Sequence, residues 1–208
     1  MRISIITEGK SEFASLPKIY DQLRRRTGNI ILAPLLVSVA PDASPAVVAR
    51  ECKSRIAIAL GSQRPDLIII LLDREQQAEP PGTIASVIEN AVLRACGEDP
   101  RVRVVLKDRT FENWLVADLD GLESMPARFD VSVNMRRAVE PNRADSCDAL
   151  GLLKKSARRG YEKIDDSIKI MERYDVGRAA RHSRSVRHFL HVLGDPLYAS
   201  QCRAAVLA

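Results

Sequence analysis

The sequence predicts an α/β fold: a largely parallel four-stranded sheet flanked by helices, followed by a mainly helical C-terminal part. Three observations carry that expectation. Up to residue 107, four apolar, β-branched runs are separated by three stretches with helical spacing, and such a βαβαβαβ order demands crossover connections. One run, "DLIIILLD", is continuously apolar from Leu67 to Leu72 and polar only at its ends, the pattern of a central parallel strand covered on both faces. After Lys107 the strand signal stops, and helical patterns in a basic setting replace it.

Each element has its own signal. Residues 2–7 alternate and then run apolar, a short first strand. Over 11–26, Phe13, Leu16, Ile19, Tyr20 and Leu23 recur at three- and four-residue spacing, which predicts a helix. Residues 30–39 read as a second strand, with Pro34 marking a bend or an edge. Ser44 and Pro45 open a helix, one as a side-chain cap and the other as the residue that needs no N–H; that helix ends near Gly61. Residues 67–73 form the third strand, 83–96 a helix and 101–107 the fourth strand. Beyond them "FENWLVAD", "CDALGLLKKSA", "IDDSIKIMERY" and "SRSVRHFLHVL" read as helices. The change at Asp108 is one of composition, so we expect an α/β core over 1–108 and a basic helical extension over 109–208 packed on it.

A chain of 208 residues that is 46% hydrophobic suits one large domain or a domain with an appendage. Aromatics are only 4%, so Ile, Leu, Val and Ala must fill the core. No run of eighteen apolar residues suggests a membrane span, and the opening "MRISIITEGK" lacks a signal-peptide layout. Cys52, Cys96, Cys147 and Cys202 form no CxxC pair; we expect reduced thiols in a cytoplasmic protein. The net charge is +5, and its distribution is uneven: residues 151–191 hold eleven Lys/Arg against five Asp/Glu, while the remaining chain holds 21 against 22. The positive excess therefore belongs to one C-terminal stretch.

Carboxylates stand where the strands end. In open parallel sheets, ligands bind beyond the C-terminal ends of the strands. Glu8 follows the first strand and Asp73 closes the third, so both project onto the same edge, and Glu75 lies two residues past Asp73. Acids gathered in this way repel one another unless a positive charge sits between them, and Mg²⁺ (or Mn²⁺) held by a few carboxylates and waters answers that repulsion. Plain solvation or capping of the next helix is the rival explanation for each acid taken singly.

The segments "TEGKSE" and, some sixty residues later, "LIIILLDRE" resemble the Toprim fold of topoisomerases, primases and overcoming-lysogenization-defect nucleases. With "LKDRTFENWLVADLDGL", "GYEKID" and "SRSVRHFLHVL" added, most of the chain resembles a bacterial Toprim-like family called domain of unknown function 4276. The resemblance implies that Glu8 matches the Toprim glutamate and Asp73 the first acid of its Asp-x-Asp. Glu75 stands in place of the second aspartate, a departure that keeps the charge but lengthens the reach. Glu12 matches the second acid of the Glu-Gly-x-Thr/Ser-Glu opening, and Glu112 and Asp118 match later acids, Glu112 being the one expected in the site. Trp114 and Leu115 we assign to the core. The resemblance further implies a place in bacterial defence and a neighbouring ATPase subunit as partner.

From these residues we expect a Mg²⁺-dependent, nuclease-like enzyme acting on phosphodiesters. Glu8, Asp73 and Glu75 would hold metal, and Glu112 would complete the site or help activate water. Lys10 and Arg74 stand beside those acids, either to meet the scissile phosphate or as local charge balance. Arg181, Arg184 and Arg187 recur every third residue and on one continuous helix would form a stripe, either a solvated face or a surface for nucleic acid, DNA or RNA. Two other classes compete: a non-catalytic module that docks through its basic region, and a phospho-acceptor regulator built on Asp73. His182, His188 and His191 lack a companion ligand at zinc spacing, and no GxxxxGK[ST] phosphate loop occurs.

Overall fold

The computed structural model describes residues 1–41, 43–97 and 101–200; Cys202 lies outside them. The chain enters on β1 (Arg2–Thr7). The helix expected over 11–26 is divided into α1 (Lys10–Ser15), a 3₁₀ turn (Leu16–Ile19) and α2 (Tyr20–Thr27). Pro17 gives the reason, because it donates no N–H to the preceding turn and its ring crowds that turn. The stretch 30–39, expected as one strand, holds two short segments, β2 (Ile30–Ile31) and β3 (Leu35–Leu36), on either side of Pro34. A proline cannot donate to the ladder, so the edge breaks there.

Helix α3 (Pro45–Ile58) starts on Ser44 and Pro45, but the Ser44 side chain makes no capping bond. The helix then widens into a π turn (Ala59–Gln63) before β4 (Leu67–Asp73), α4 (Pro81–Cys96) and β5 (Val102–Lys107). Because the second strand is divided, the sheet has five strands among the described residues instead of the four expected; they pair in parallel in the order β2-β1-β4-β5, with β3 on the same edge of β1 as β2. The register runs Ile3↔Leu67 to Thr7↔Leu71 and Ile68↔Val102 to Asp73↔Lys107.

The second half is helical: α5 (Phe111–Val116), α6 (Leu119–Glu123), α7 (Val133–Val139), α8 (Ala149–Ser156), α9 (Lys163–Arg173), α10 (Val176–His182) and α11 (Arg184–Val192). Alternation along the strands sorts the core into two layers. Ile68, Ile70, Leu72, Val104 and Leu106 meet Val48, Cys52 and Ile56 of α3 and Ile84, Ile88 and Val92 of α4. Ile3, Ile5, Ile69, Leu71 and Val105 share the other layer with Leu16, Leu23, Trp114, Leu115, Ile170 and Phe189. The sheet is thus flanked by helices on both faces, and one layer draws on both halves of the chain. Trp114 anchors that layer: its Nε1–H donates to Ser185 Oγ at 2.8 Å, and its ring meets Phe189 with centroids 5.1 Å apart. Among the described residues no helix is long and apolar enough to cross a membrane.

Candidate functional site

Parallel pairing of β1, β4 and β5 brings three strand ends together, and the side chains there are charged. Asp73 and Lys107 are register partners at the ends of β4 and β5. The Lys107 side chain is fully buried. Its ammonium lies 2.9 Å from Asp73 Oδ1 and 3.8 Å from Glu8 Oε1, and it donates to Glu12 Oε1. The Glu8 carboxylate accepts the backbone N–H of Asp73, which ties the exit of β1 to the end of β4.

The turn "TEGKSE" has a steric explanation. Gly9 is the N-cap of α1 with ordinary extended backbone, so its conformation does not demand glycine. A Cβ there would overlap the Glu12 carboxylate. The missing side chain is what lets Glu12 fold back from the first turn of α1 onto Lys107.

Glu112 arrives from the opposite direction. Thr110 and Asn113 form a reciprocal capping box at the start of α5, which fixes this short helix and holds Glu112 buried in its first turn. Glu112 Oε1 lies 3.1 Å from Lys163 Nζ, at the first position of α9. Helix α9 packs on α1, so the C-terminal half lays Lys163 over the strand ends, where its charge also acts on Asp73 and Glu12.

Burial dominates the protonation of these groups. It pushes the Glu8 carboxyl up to about 7; Lys107 opposes this rise, and Asp73 and Glu12 add to it. The same order of causes, burial first and Lys107 against it, takes Asp73 to about 6. Burial alone would lower the Lys107 ammonium, but Asp73, Glu12 and Glu8 together outweigh it and hold the group above the ordinary lysine value. Lys107 therefore stays charged, while burial holds Glu8 and Asp73 above the ordinary carboxylate range.

The donor set offers the hard oxygens that a divalent cation takes, but a buried ammonium already stands among them. With all groups ionised, four carboxylates (Glu8, Glu12, Asp73, Glu112) face two ammoniums (Lys107, Lys163), leaving two negative charges uncompensated. Asp73 Oδ1 and Glu112 Oε1 are buried, and neither has a well-directed hydrogen bond beyond its ion pair. Hard oxygen donors carrying a net charge of −2 suit Mg²⁺. Among the described residues no three His, Cys, Asp or Glu side chains stand as a ready-made ligand set. The reason is local: Lys107 sits between the acids, so a cation must share them with its ammonium or displace it.

The other expected residues fall around this centre. Glu75 is half-buried and left-handed (φ 54°), its N–H donating to Arg109 O at 2.9 Å; its charge bears on Asp73, but it stands outside the ion-paired group. Lys10 is exposed at the start of α1. Arg74 pairs with Asp108 at 2.6 Å. Asp118 lies elsewhere, buried under a bidentate Arg178 at 2.7 and 2.8 Å. The stripe expected of Arg181, Arg184 and Arg187 does not form on one helix, because the chain breaks at Ser183, the N-cap of α11. Arg181 is exposed, Arg184 turns to Asp108 at 3.4 Å, and Arg187 is taken up by Ala180 O and Asn142. The rings of His188 and His191 stack at 6.3 Å.

Lys107 and Lys163 were not visible as site members in the sequence. A signal for Lys107 existed: it ends the strand after Asp73's, so parallel neighbours in register place the two side by side. Nothing local marks Lys163.

The family described as Domain of unknown function (DUF4276) matches residues 7–194 of this chain. No curated protein and no solved structure matches it.

Proposed function

Because the chain belongs to the family described as Domain of unknown function (DUF4276), whose description carries no activity, we propose its function from the site itself: a Toprim-like, divalent-metal-dependent enzyme that cleaves phosphodiesters. The observation that carries this reading is the convergence of Glu8, Glu12 and Asp73 at the C-terminal strand ends, an acid excess that reaches −2, Glu112 and Lys163 included, when all groups are ionised. Glu8 and Asp73 would hold Mg²⁺ or Mn²⁺, with Glu75 and Glu112 within the same acidic neighbourhood. Such an ion supplies Lewis acidity and lowers the pKa of bound water.

The chain's own residues do the rest. Lys107 holds Glu12 and Asp73 in place and limits their repulsion. Glu112, paired with Lys163, is the acid positioned to orient water. Arg74, directly after Asp73, offers a guanidinium to a phosphate. Placement beside a partner ATPase in bacterial defence belongs to the same proposal and rests on the resemblance alone.

The test is cleavage of labelled single- and double-stranded DNA and RNA in Mg²⁺, Mn²⁺ or EDTA. We expect metal-dependent cleavage by the wild type and none by Asp73→Asn, which changes the charge with little change of shape. Cleavage that persists in EDTA, or in a verified Asp73→Asn preparation, rules the mechanism out. One observation favours a second reading, a non-catalytic docking module: the buried Lys107 ammonium already stands among the acids where a cation would sit. Absence of cleavage by the wild type, together with no heat of Mn²⁺ binding in calorimetry, would select that reading.

A further inference from the structure

Directly beyond the acid cluster, each strand end contributes one more charged residue, and these form a different group. Arg74 follows Asp73, and Asp108 follows Lys107. Arg74 Nη1 lies 2.6 Å from Asp108 Oδ1, and Arg184 Nη2 lies 3.4 Å from Asp108 Oδ2. One carboxylate therefore bridges two guanidiniums from elements far apart in sequence. The Asp108 side chain is 11% exposed, and that of Arg184 is 56% exposed. Arg74 Nε is buried with no hydrogen-bond partner among the described residues.

Three features distinguish this group from an ordinary surface pair. First, the pairing sets two guanidiniums against the single carboxylate that touches them, beside a site rich in acids. Second, Arg184 is the first residue of α11, where the helix dipole disfavours a cation, so helix stability does not explain an arginine there. Third, the chain just beyond both strand ends is strained: Glu75 (φ 54°) and Arg109 (φ 70°) are left-handed non-glycine residues joined by a backbone hydrogen bond of 2.9 Å. Strain of this kind persists where the surroundings over-determine it and clusters at ligand sites. The neighbouring Asp145 carboxylate accepts from the Ser183 and Ser185 hydroxyls and the Ser185 N–H, and its charge bears on Arg187.

We propose that Asp108 is a positioning residue that holds Arg74 and Arg184 as a two-arginine clamp for a backbone phosphate flanking the one at the acid cluster, so that the substrate is a polynucleotide strand and not an isolated phosphate ester. The inference rests on the phosphodiester reading above and deepens it. Guanidiniums suit the role because each offers several donors in a planar fork that matches phosphate oxygens. The clamp reads phosphate, so DNA and RNA strands engage it alike.

Binding is measured by fluorescence anisotropy in EDTA, on an Asp73→Asn parent that cannot cleave, with labelled oligothymidylate and oligouridylate of about 20 nucleotides, longer than a single binding site of about 4–16 nucleotides. Arg184→Ala should weaken binding about tenfold and lower the salt slope by about 0.7, the loss of one phosphate contact on a single strand. Asp108→Asn discriminates by sign. Removing a negative charge strengthens a merely electrostatic attraction, whereas releasing a positioned clamp weakens it, and we expect weakening on both oligonucleotides. In the Asp108→Asn background Arg184→Ala should add little, since coupled residues are non-additive. Unaltered circular dichroism and melting of the variants exclude misfolding. Tighter or unchanged binding by Asp108→Asn overturns the clamp, as does failure of the parent to bind either strand. Cleavage by the wild type, scored separately, decides the reaction itself.

Discussion

Burying an ammonium costs several kcal/mol unless opposite charge meets it, and Lys107 is met by Glu8, Glu12 and Asp73. Lys107→Met leaves the buried Glu12 and the partly buried Glu8 and Asp73 without their counter-charge and should cost about 3–5 kcal/mol of stability, read as a lower urea midpoint. The same residues set a pH dependence. Folded Glu8 and Asp73 hold their protons to about 7 and about 6, whereas unfolded they would release them near pH 4. The folded state therefore binds more protons in that window, and its stability is highest below it and is lost as pH rises through 6 to 7. His188 works in the opposite sense: burial, aided by His191, Arg103 and Arg184, lowers it to about 4, so its contribution is lost as pH falls. Glu8→Gln isolates the site. In EDTA, between about pH 5 and pH 8, the wild type should lose about 2 kcal/mol more than the variant. An identical profile for the two proteins would show that Glu8 is not held protonated.

At the scale of elements, short helices with strong caps position the site. Helix α11 begins where Ser183 Oγ accepts the Val186 N–H at 3.0 Å and donates to Asp145 at 2.7 Å. The same break ends α10 and turns Arg184 toward Asp108 instead of along a continuous stripe. Ser183→Ala removes the cap and should cost about 1–2 kcal/mol, measured by thermal unfolding, and should also free Arg184 from its register with Asp108. Stability equal to wild type would mean that packing of Val186 and Phe189 alone fixes the helix start. The strands were legible because burial on both faces leaves a continuous apolar run, as in β4. The helix expected over 11–26 and the strand expected over 30–39 each divide at a proline, where apolar spacing continues through a residue that the backbone hydrogen-bond pattern cannot accommodate.

Across the whole molecule, one face of the sheet depends on helices from the second half. Ile3, Ile5, Ile69, Leu71 and Val105 share a core layer with Trp114, Leu115, Phe129, Ile170 and Phe189. A fragment 1–108 would expose that apolar face to water, at roughly 25 cal/mol per Å² of uncovered apolar area. We expect it to lack a cooperative thermal transition and to aggregate. A sharp reversible melt of the isolated fragment would show instead that the first half folds alone. The same dependence places Glu112 and Lys163, both from the second half, over strand ends built by the first.

The sequence by itself determined the parallel α/β order, the strand-end placement of Glu8 and Asp73 and the core role of Trp114, because hydrophobic periodicity and strand polarity are local properties. Tertiary structure decided what those acids meet. Lys107 enters through strand register, Glu12 through the space left at Gly9, and Lys163 and Arg184 through helices 56 and 76 positions beyond Lys107 and Asp108 in the chain. Coulomb interactions depend on distance in space and not on separation in sequence, so a pattern along the chain can identify the acids without revealing the cations that balance them.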